Sequence, residues 1–109
     1  MGAITPIGNT VEDFSSNLFT GTNGISQTSL FDTTEFNVKI AAEVKYDFTD
    51  YFSSKELNKI DRFTAFAIIA ADEAIKKSGI DSLKNKNDIG VIIGSGIGGI
   101  NTFEKQHKR

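Results

Sequence analysis

The residues best suited to a binding or catalytic role lie near the end of the chain. There an apolar run leads into glycines in the segment GVIIGSGIGGI, Gly90 to Ile100. Gly94, Gly96 and Gly99 have the Gly-x-Gly-x-x-Gly spacing of a dinucleotide-binding turn, in which backbone N–H groups at a helix start bind a pyrophosphate. Glycines with this spacing also let main chain pack closely beneath a site that other segments build. The two interpretations predict different functions.

The surroundings of this turn weigh against dinucleotide binding. The fingerprint normally belongs to the first strand and helix of its domain, and an acidic residue that contacts the ribose follows about 20 residues later. Here about ninety residues of organised chain precede the turn, and the 109-residue sequence holds no position that far beyond Gly99. We therefore favour close packing of main chain and keep the dinucleotide-binding α/β module as the alternative.

Composition excludes several kinds of site. The sequence has no Cys, which excludes a disulfide framework, a thiolate metal site and a thiol nucleophile within these 109 residues. Its single His, His107, lies close to the C-terminus, where we expect a solvated side chain and no catalytic role. A net charge of −2 gives no general attraction for nucleic acid or anionic lipid. We expect no cofactor, no metal, no nucleic acid partner and no membrane contact.

The elements that would position the turn can be read from capping and periodicity. Thr10, followed after Val11 by two acidic residues, predicts the start of a short helix. The helix is expected to continue through Phe14 and Leu18 and to be ended by Gly21 and Gly24. Partial alternation over Val38–Val44 predicts a short strand, with Lys39 and Glu43 on one face.

A longer helical region is predicted next. Ser53 to Glu56 forms a capping-box pattern at its start. Apolar residues recur at helical spacing from Ile60 to Ile75, which predicts a largely buried helix that stops at Gly79. The apolar run Ile89–Ile93 is typical of a strand covered on both faces in a parallel sheet, followed by a helix that begins near Ile100. The predicted class is α/β.

Four segments in the same order and spacing resemble conserved blocks of a known family. They are MGAITPIGNTVEDF (1–14), FDTTEFNVKIAAEV (31–44), IDRFTAFAIIAADEAI (60–75) and GVIIGSGIGG (90–99). Together they resemble the elongating β-ketoacyl-acyl carrier protein synthases, type II, over essentially the whole chain. This resemblance implies a thiolase-like fold, layered αβαβα in the intact family, of which residues 1–109 would be a partial N-terminal ketosynthase domain, truncated at both ends.

The resemblance also implies an acyltransferase activity. The intact enzyme would condense an acyl group, held on a cysteine as a thioester, with malonyl-acyl carrier protein, and would lengthen a fatty acid by two carbons with loss of carbon dioxide. One Cys, two His and a Lys carry this chemistry in the family, and they come from segments absent here. We therefore expect the fragment to be inactive alone, with no catalytic residue of its own.

Two sets of site residues follow from the resemblance. Ile97, with Gly96 and Gly98 beside it, would lie at the acyl pocket and act as its gate, although an isoleucine beside a tight turn is ordinarily a core residue. Lys55 and Lys59 match positions that contact acyl carrier protein, and their spacing predicts one helix face. Such a lysine pair is ordinarily a solvated surface.

The family context sets the remaining expectations. The implied partners are acyl carrier protein bearing acyl and malonyl groups, and a second copy of the intact chain in a homodimer. The N-terminal residues lack the basic flank and apolar stretch of a signal peptide, so we expect a cytoplasmic location. A non-catalytic ketosynthase-like chain-length partner is a further alternative, which only the residue at the nucleophile position would distinguish.

Overall fold

Helices make up most of the regular structure in this computed structural model, which describes residues 1–108. Within these described residues, strand is limited to one antiparallel pair, β1 with β2, in the register Ser26↔Ala41 and Gln27↔Ile40. The elements in chain order are helix α1 (Val11–Phe19), strands β1 (Ser26–Gln27) and β2 (Ile40–Ala41), a 3₁₀ turn (Phe48–Asp50), helices α2 (Ser54–Leu57) and α3 (Arg62–Ser78), a second 3₁₀ turn (Ile80–Ser82) and helix α4 (Ile100–His107).

The chain divides into two compact units, Gly2–Tyr46 and the part from Asp47 onward. In the first unit, α1 begins as predicted, because the Thr10 hydroxyl accepts a hydrogen bond from the Asp13 N–H at 3.1 Å. Gly21 follows the helix with φ +72°, a conformation that favours glycine. Asn17 joins the helix to the preceding loop by donating from Nδ2 to the Ile7 carbonyl at 2.6 Å.

The strand predicted over Val38–Val44 is present only as Ile40–Ala41, and the predicted shared face of Lys39 and Glu43 is wrong. Lys39 is exposed whereas Glu43 is buried. The Glu43 carboxylate accepts hydrogen bonds from the N–H and hydroxyl of Ser29, the latter at 2.7 Å, and from the Leu30 N–H at 3.2 Å. These bonds satisfy a buried charge. The Ser29 and Leu30 N–H groups donate to the Glu43 carboxylate and therefore do not extend the ladder between β1 and β2.

In the second unit the capping box at the start of α2 is confirmed. The Ser53 hydroxyl accepts from the Glu56 N–H, and the Glu56 carboxylate accepts from the Ser53 N–H at 2.9 Å. The continuous helical region predicted after it is wrong, since α2 ends at Leu57 and α3 begins at Arg62. Asp61, extended at ψ 158°, occupies the N-cap position and separates the two helices.

Helix α3 ends as predicted, at Gly79 with φ +72°. Its predicted extensive burial is wrong, because Ala65 and Ile69 are its only buried residues. Together with Phe52 they form the buried apolar core of the described chain. The Arg62 guanidinium lies over the rings of Phe48 and Phe66, 5.3 and 5.0 Å from their centroids.

The strand predicted over Ile89–Ile93 is wrong for this chain. The segment has no regular structure, and Val91 and Ile92 are 82% and 97% exposed. A strand requires a neighbour that pairs with its N–H and C=O groups, and within residues 1–108 the ladder pairing joins β1 only to β2. The observed class is therefore mixed, helical with little strand.

Candidate functional site

The glycine turn, residues 94–99, leads directly into α4, as the sequence predicts. The Gly98 N–H donates to the Ser95 hydroxyl at 3.1 Å, and the Ile100 N–H donates to the Gly98 carbonyl at 3.0 Å. Gly98 has φ +79°, and a Cβ there would lie 3.8 Å from the Phe63 ring of α3. This conformation requires glycine because L side chains rarely adopt it.

The last glycine of the turn has a different constraint. A Cβ on Gly99 would overlap the carboxylate of Asp61 at the start of α3, so a side chain there would displace that carboxylate. The same carboxylate accepts a hydrogen bond from the hydroxyl of Thr102 in α4. Asp61 therefore holds the turn and α4 against the beginning of α3.

Ile97 projects from this turn into solvent, with 81% of its surface exposed. It lines an open groove of about 450 Å³ together with Gly99, Ile100 and Phe103. The structure thus does not place Ile97 in the core of the described chain. A Cβ on Gly96 would meet open space among residues 1–108, so packing within the described chain does not require glycine at that position.

Lys55 and Lys59 are both exposed, but they do not share a helix face as predicted. Lys55 lies within α2, whereas Lys59 lies beyond its end, where its N–H donates to the Glu56 carbonyl at 2.8 Å. The reason is the short length of α2, which has only four residues.

Hydrogen bonds from the Ser53 side chain and backbone, aided by the nearby Lys59 charge, hold the pKa of Glu56 below its ordinary value.

His107 lies in the last turn of α4, with its ring stacked on Phe103 at a centroid distance of 6.5 Å. It is exposed, so the structure gives it no enclosed site in which to act as an acid or base. Within residues 1–108, no group of three or more carboxylate or imidazole side chains is placed to bind a metal ion. None of the helices described is long and apolar enough to cross a membrane.

The sequence did not predict that Asp61, Thr102 and Phe63 help to hold the glycine turn in place. Aspartate just before an apolar helix is an N-cap signal, which could have identified the first of them. Its bond to Thr102 spans 41 residues, and local spacing carries no signal for a pairing at that distance.

The chain is similar to known proteins over its full length. The family model "Beta-ketoacyl synthase, N-terminal domain" matches residues 1–109. The protein named 3-oxoacyl-[acyl-carrier-protein] synthase 2 from Staphylococcus aureus is 46% identical over 111 residues, covering 100% of this chain and 28% of the relative. The protein of the same name from a Synechocystis strain is 43% identical over 109 residues, covering 97% of this chain and 26% of that relative.

This chain spans just over a quarter of the length of these relatives. Their names do not favour the dinucleotide-binding alternative. With a family match that extends over all 109 residues, the chain belongs to the β-ketoacyl synthase N-terminal domain family.

Proposed function

We propose that this chain forms the N-terminal part of a 3-oxoacyl-[acyl-carrier-protein] synthase that elongates fatty acids. The observation that carries the proposal is the 46% identity, over the whole chain, to a relative of that name. The glycine turn and its exposed isoleucine are the features of the structure that fit it best.

In the proposed reaction an acyl group first passes from its carrier thioester to a cysteine thiolate, which releases the carrier thiol. Malonyl-acyl carrier protein then loses carbon dioxide, and the resulting carbanion attacks the acyl thioester and displaces the cysteine thiolate. Imidazoles and oxyanion-stabilising donors would support the developing charge. This chain has no Cys and one His, so the rest of the enzyme would supply the reacting groups and the described segment would shape the acyl site.

The proposed acyl-site residues are Ile97, Gly96 and Gly98. An exposed apolar side chain on a turn held by hydrogen bonds is suited to contact an alkyl chain, because the turn limits where the side chain can stand. Gly98 would allow the turn its positive φ of +79° beside the Phe63 ring, a conformation that a residue with a side chain rarely adopts.

Lys55 and Lys59 are proposed to contact the acidic acyl carrier protein. Both side chains are exposed and therefore available to a partner. The Glu56 carboxylate between them reduces the positive field, so we propose that the pair guides association more than it adds affinity.

The wider context is proposed from the same family. Residues 1–109 would be a partial domain of a thiolase-like fold with αβαβα layers, in an enzyme that acts in the cytoplasm as a homodimer without a cofactor. A non-catalytic partner with the same fold is the second candidate, since residues outside this chain would supply the nucleophile.

A chimera tests the proposal. Residues 1–109 would replace the matching segment of the Staphylococcus aureus relative, and the purified chimera would receive acyl- and malonyl-acyl carrier protein. We expect a 3-oxoacyl product by mass spectrometry and release of carbon dioxide, both dependent on the malonyl substrate. The unaltered relative is the control. A chimera that unfolds at the same temperature as the control but forms no product would contradict the proposal, and saturable heat on titration with NAD would support the dinucleotide alternative.

A further inference from the structure

The Asp61 side chain does not make the hydrogen bond that is expected of a residue in its position. Asp61 is the N-cap residue of α3, where an aspartate ordinarily accepts a hydrogen bond from the first turn of its own helix. It makes no such bond. Its carboxylate instead accepts from the Thr102 hydroxyl of α4 and fills the space beside Gly99.

The bond between Asp61 and Thr102 joins the N-terminal ends of α3 and α4. Ile97 lies in the segment of chain between these two helices. Gly98 lies beside the Phe63 ring, Gly99 lies against Asp61, and Thr102 donates to Asp61. The first turn of α3 therefore sets the position of the glycine turn. Ile97 precedes Gly98, so its direction depends on the same contacts.

We propose that Asp61 is a positioning residue that, through Thr102 and Gly99, holds Ile97 in one orientation and thereby sharpens selection among acyl chain lengths. The part that concerns chain length rests on the proposed ketosynthase function. The part that concerns the turn rests on the contacts alone. Loss of the Asp61–Thr102 bond would leave the turn free to shift and would broaden the range of acyl chains accepted.

The chimera described above carries the test, with Asp61→Ser and Thr102→Val as the main variants. Serine retains an N-cap oxygen for α3 but is too short to reach Thr102, and valine keeps the shape of threonine without its hydroxyl. Selectivity is measured as kcat/KM for the preferred acyl length divided by kcat/KM for a disfavoured length. Each variant should lower this ratio by about threefold. The double variant should change the ratio no more than either single one, because both remove the same contact.

Thr102→Ser is the matched control, since it keeps the hydroxyl and should preserve the ratio. An equal loss of kcat/KM for all acyl lengths, with a lower unfolding temperature, would show a purely structural role for Asp61 and would overturn the proposal. So would an unchanged ratio in both main variants.

A second measurement separates this proposal from the proposed function. Hydrogen exchange at the amides of residues 96–100 should be faster in Asp61→Ser and Thr102→Val than in the parent and in Thr102→Ser. Faster exchange in a folded chimera without condensation activity would reject the function and retain the positioning role of Asp61. Unchanged exchange in both variants would reject the positioning role, whatever the activity.

Discussion

The glycines of the turn differ in whether backbone conformation or neighbouring atoms require glycine at their position. Gly98 needs its positive φ, whereas a Cβ on Gly99 would overlap only the end of the Asp61 side chain, which would have to move aside. Gly94 and Gly96 face open space in the described chain. The Gly-x-Gly-x-x-Gly spacing, which comprises Gly94, Gly96 and Gly99, therefore leaves out Gly98, the glycine whose backbone conformation this turn requires.

At Ile97 the proposed role makes a size-dependent prediction. Ile97→Phe in the chimera should lower kcat/KM for long relative to short acyl groups by about tenfold, because a larger side chain at the gate excludes the distal carbons. A series of acyl-acyl carrier proteins of increasing length measures the effect. Ile97→Leu, which preserves volume, is the control and should leave the profile near that of the parent. An unchanged preference in Ile97→Phe would count against a gate.

For the lysines the prediction depends on salt. Lys55→Glu with Lys59→Glu in the chimera should slow carrier-dependent turnover most at low ionic strength, since screening weakens exposed charges and each contact contributes only up to about 1 kcal/mol. The control is Lys39→Glu with Lys84→Glu, which changes net charge by the same amount at other exposed positions. Loss of turnover that is equal at every salt concentration would indicate a folding defect and no carrier contact.

At the scale of elements, features encoded by neighbouring residues could be predicted and those that need a distant partner could not. The Thr10 cap, the Ser53 capping box and the Gly79 stop depend on residues within one helical turn. The Ile89–Ile93 strand depends on pairing with another segment, which the described chain does not supply. The site follows the same rule, because the turn into α4 was predictable but the contact of Asp61 with Thr102 was not.

The capping box of α2 predicts a pH dependence. The pKa of Glu56 is lowered from its ordinary 4.5, chiefly by the hydrogen bond from the Ser53 side chain. The ionised Glu56 carboxylate therefore gives its full stabilisation of the folded state above about pH 4.5. This stabilisation is lost as the pH falls through the pKa that Glu56 has in the folded state, which lies below 4.5. Ser53→Ala should raise the Glu56 pKa toward the ordinary value, measured by ¹³C NMR of the glutamate-labelled chimera. Glu56→Gln assigns the signal, and an unchanged midpoint in Ser53→Ala would contradict the prediction.

The end of α3 predicts the cost of a side chain at Gly79. No atom of residues 1–108 lies within 4 Å of a Cβ placed there, so we expect the penalty of Gly79→Ala to be conformational. We expect the free energy of unfolding to fall by about 1–2 kcal/mol, measured by chemical denaturation of the chimera. Gly79→Asn should cost less, because asparagine tolerates the left-handed conformation better than alanine. Equal losses in the two variants would show that steric contact, and not φ, sets the penalty.

At the scale of the molecule, the apolar surface of the described chain is large relative to its core. Phe52, Ala65 and Ile69 are its buried apolar residues. Val91 and Ile93 remain 82% and 60% exposed while they line, with α3 residues, an apolar groove of about 270 Å³. A core this small offsets little of the conformational entropy that folding removes from about a hundred residues.

This imbalance predicts the behaviour of the 109 residues expressed alone. We expect binding of the dye 1-anilinonaphthalene-8-sulfonate, a broad urea transition and association at micromolar concentration, because exposed apolar faces bind dye and one another. In the chimera the same segment should bind little dye, since the host would supply the surfaces that cover these faces. A single sharp urea transition of the isolated chain, with a slope of about 1–3 kcal/mol/M as expected for a small cooperative domain, would contradict the prediction. That result would mean that helix packing around Ala65 and Ile69 is enough to fold the chain without further apolar burial.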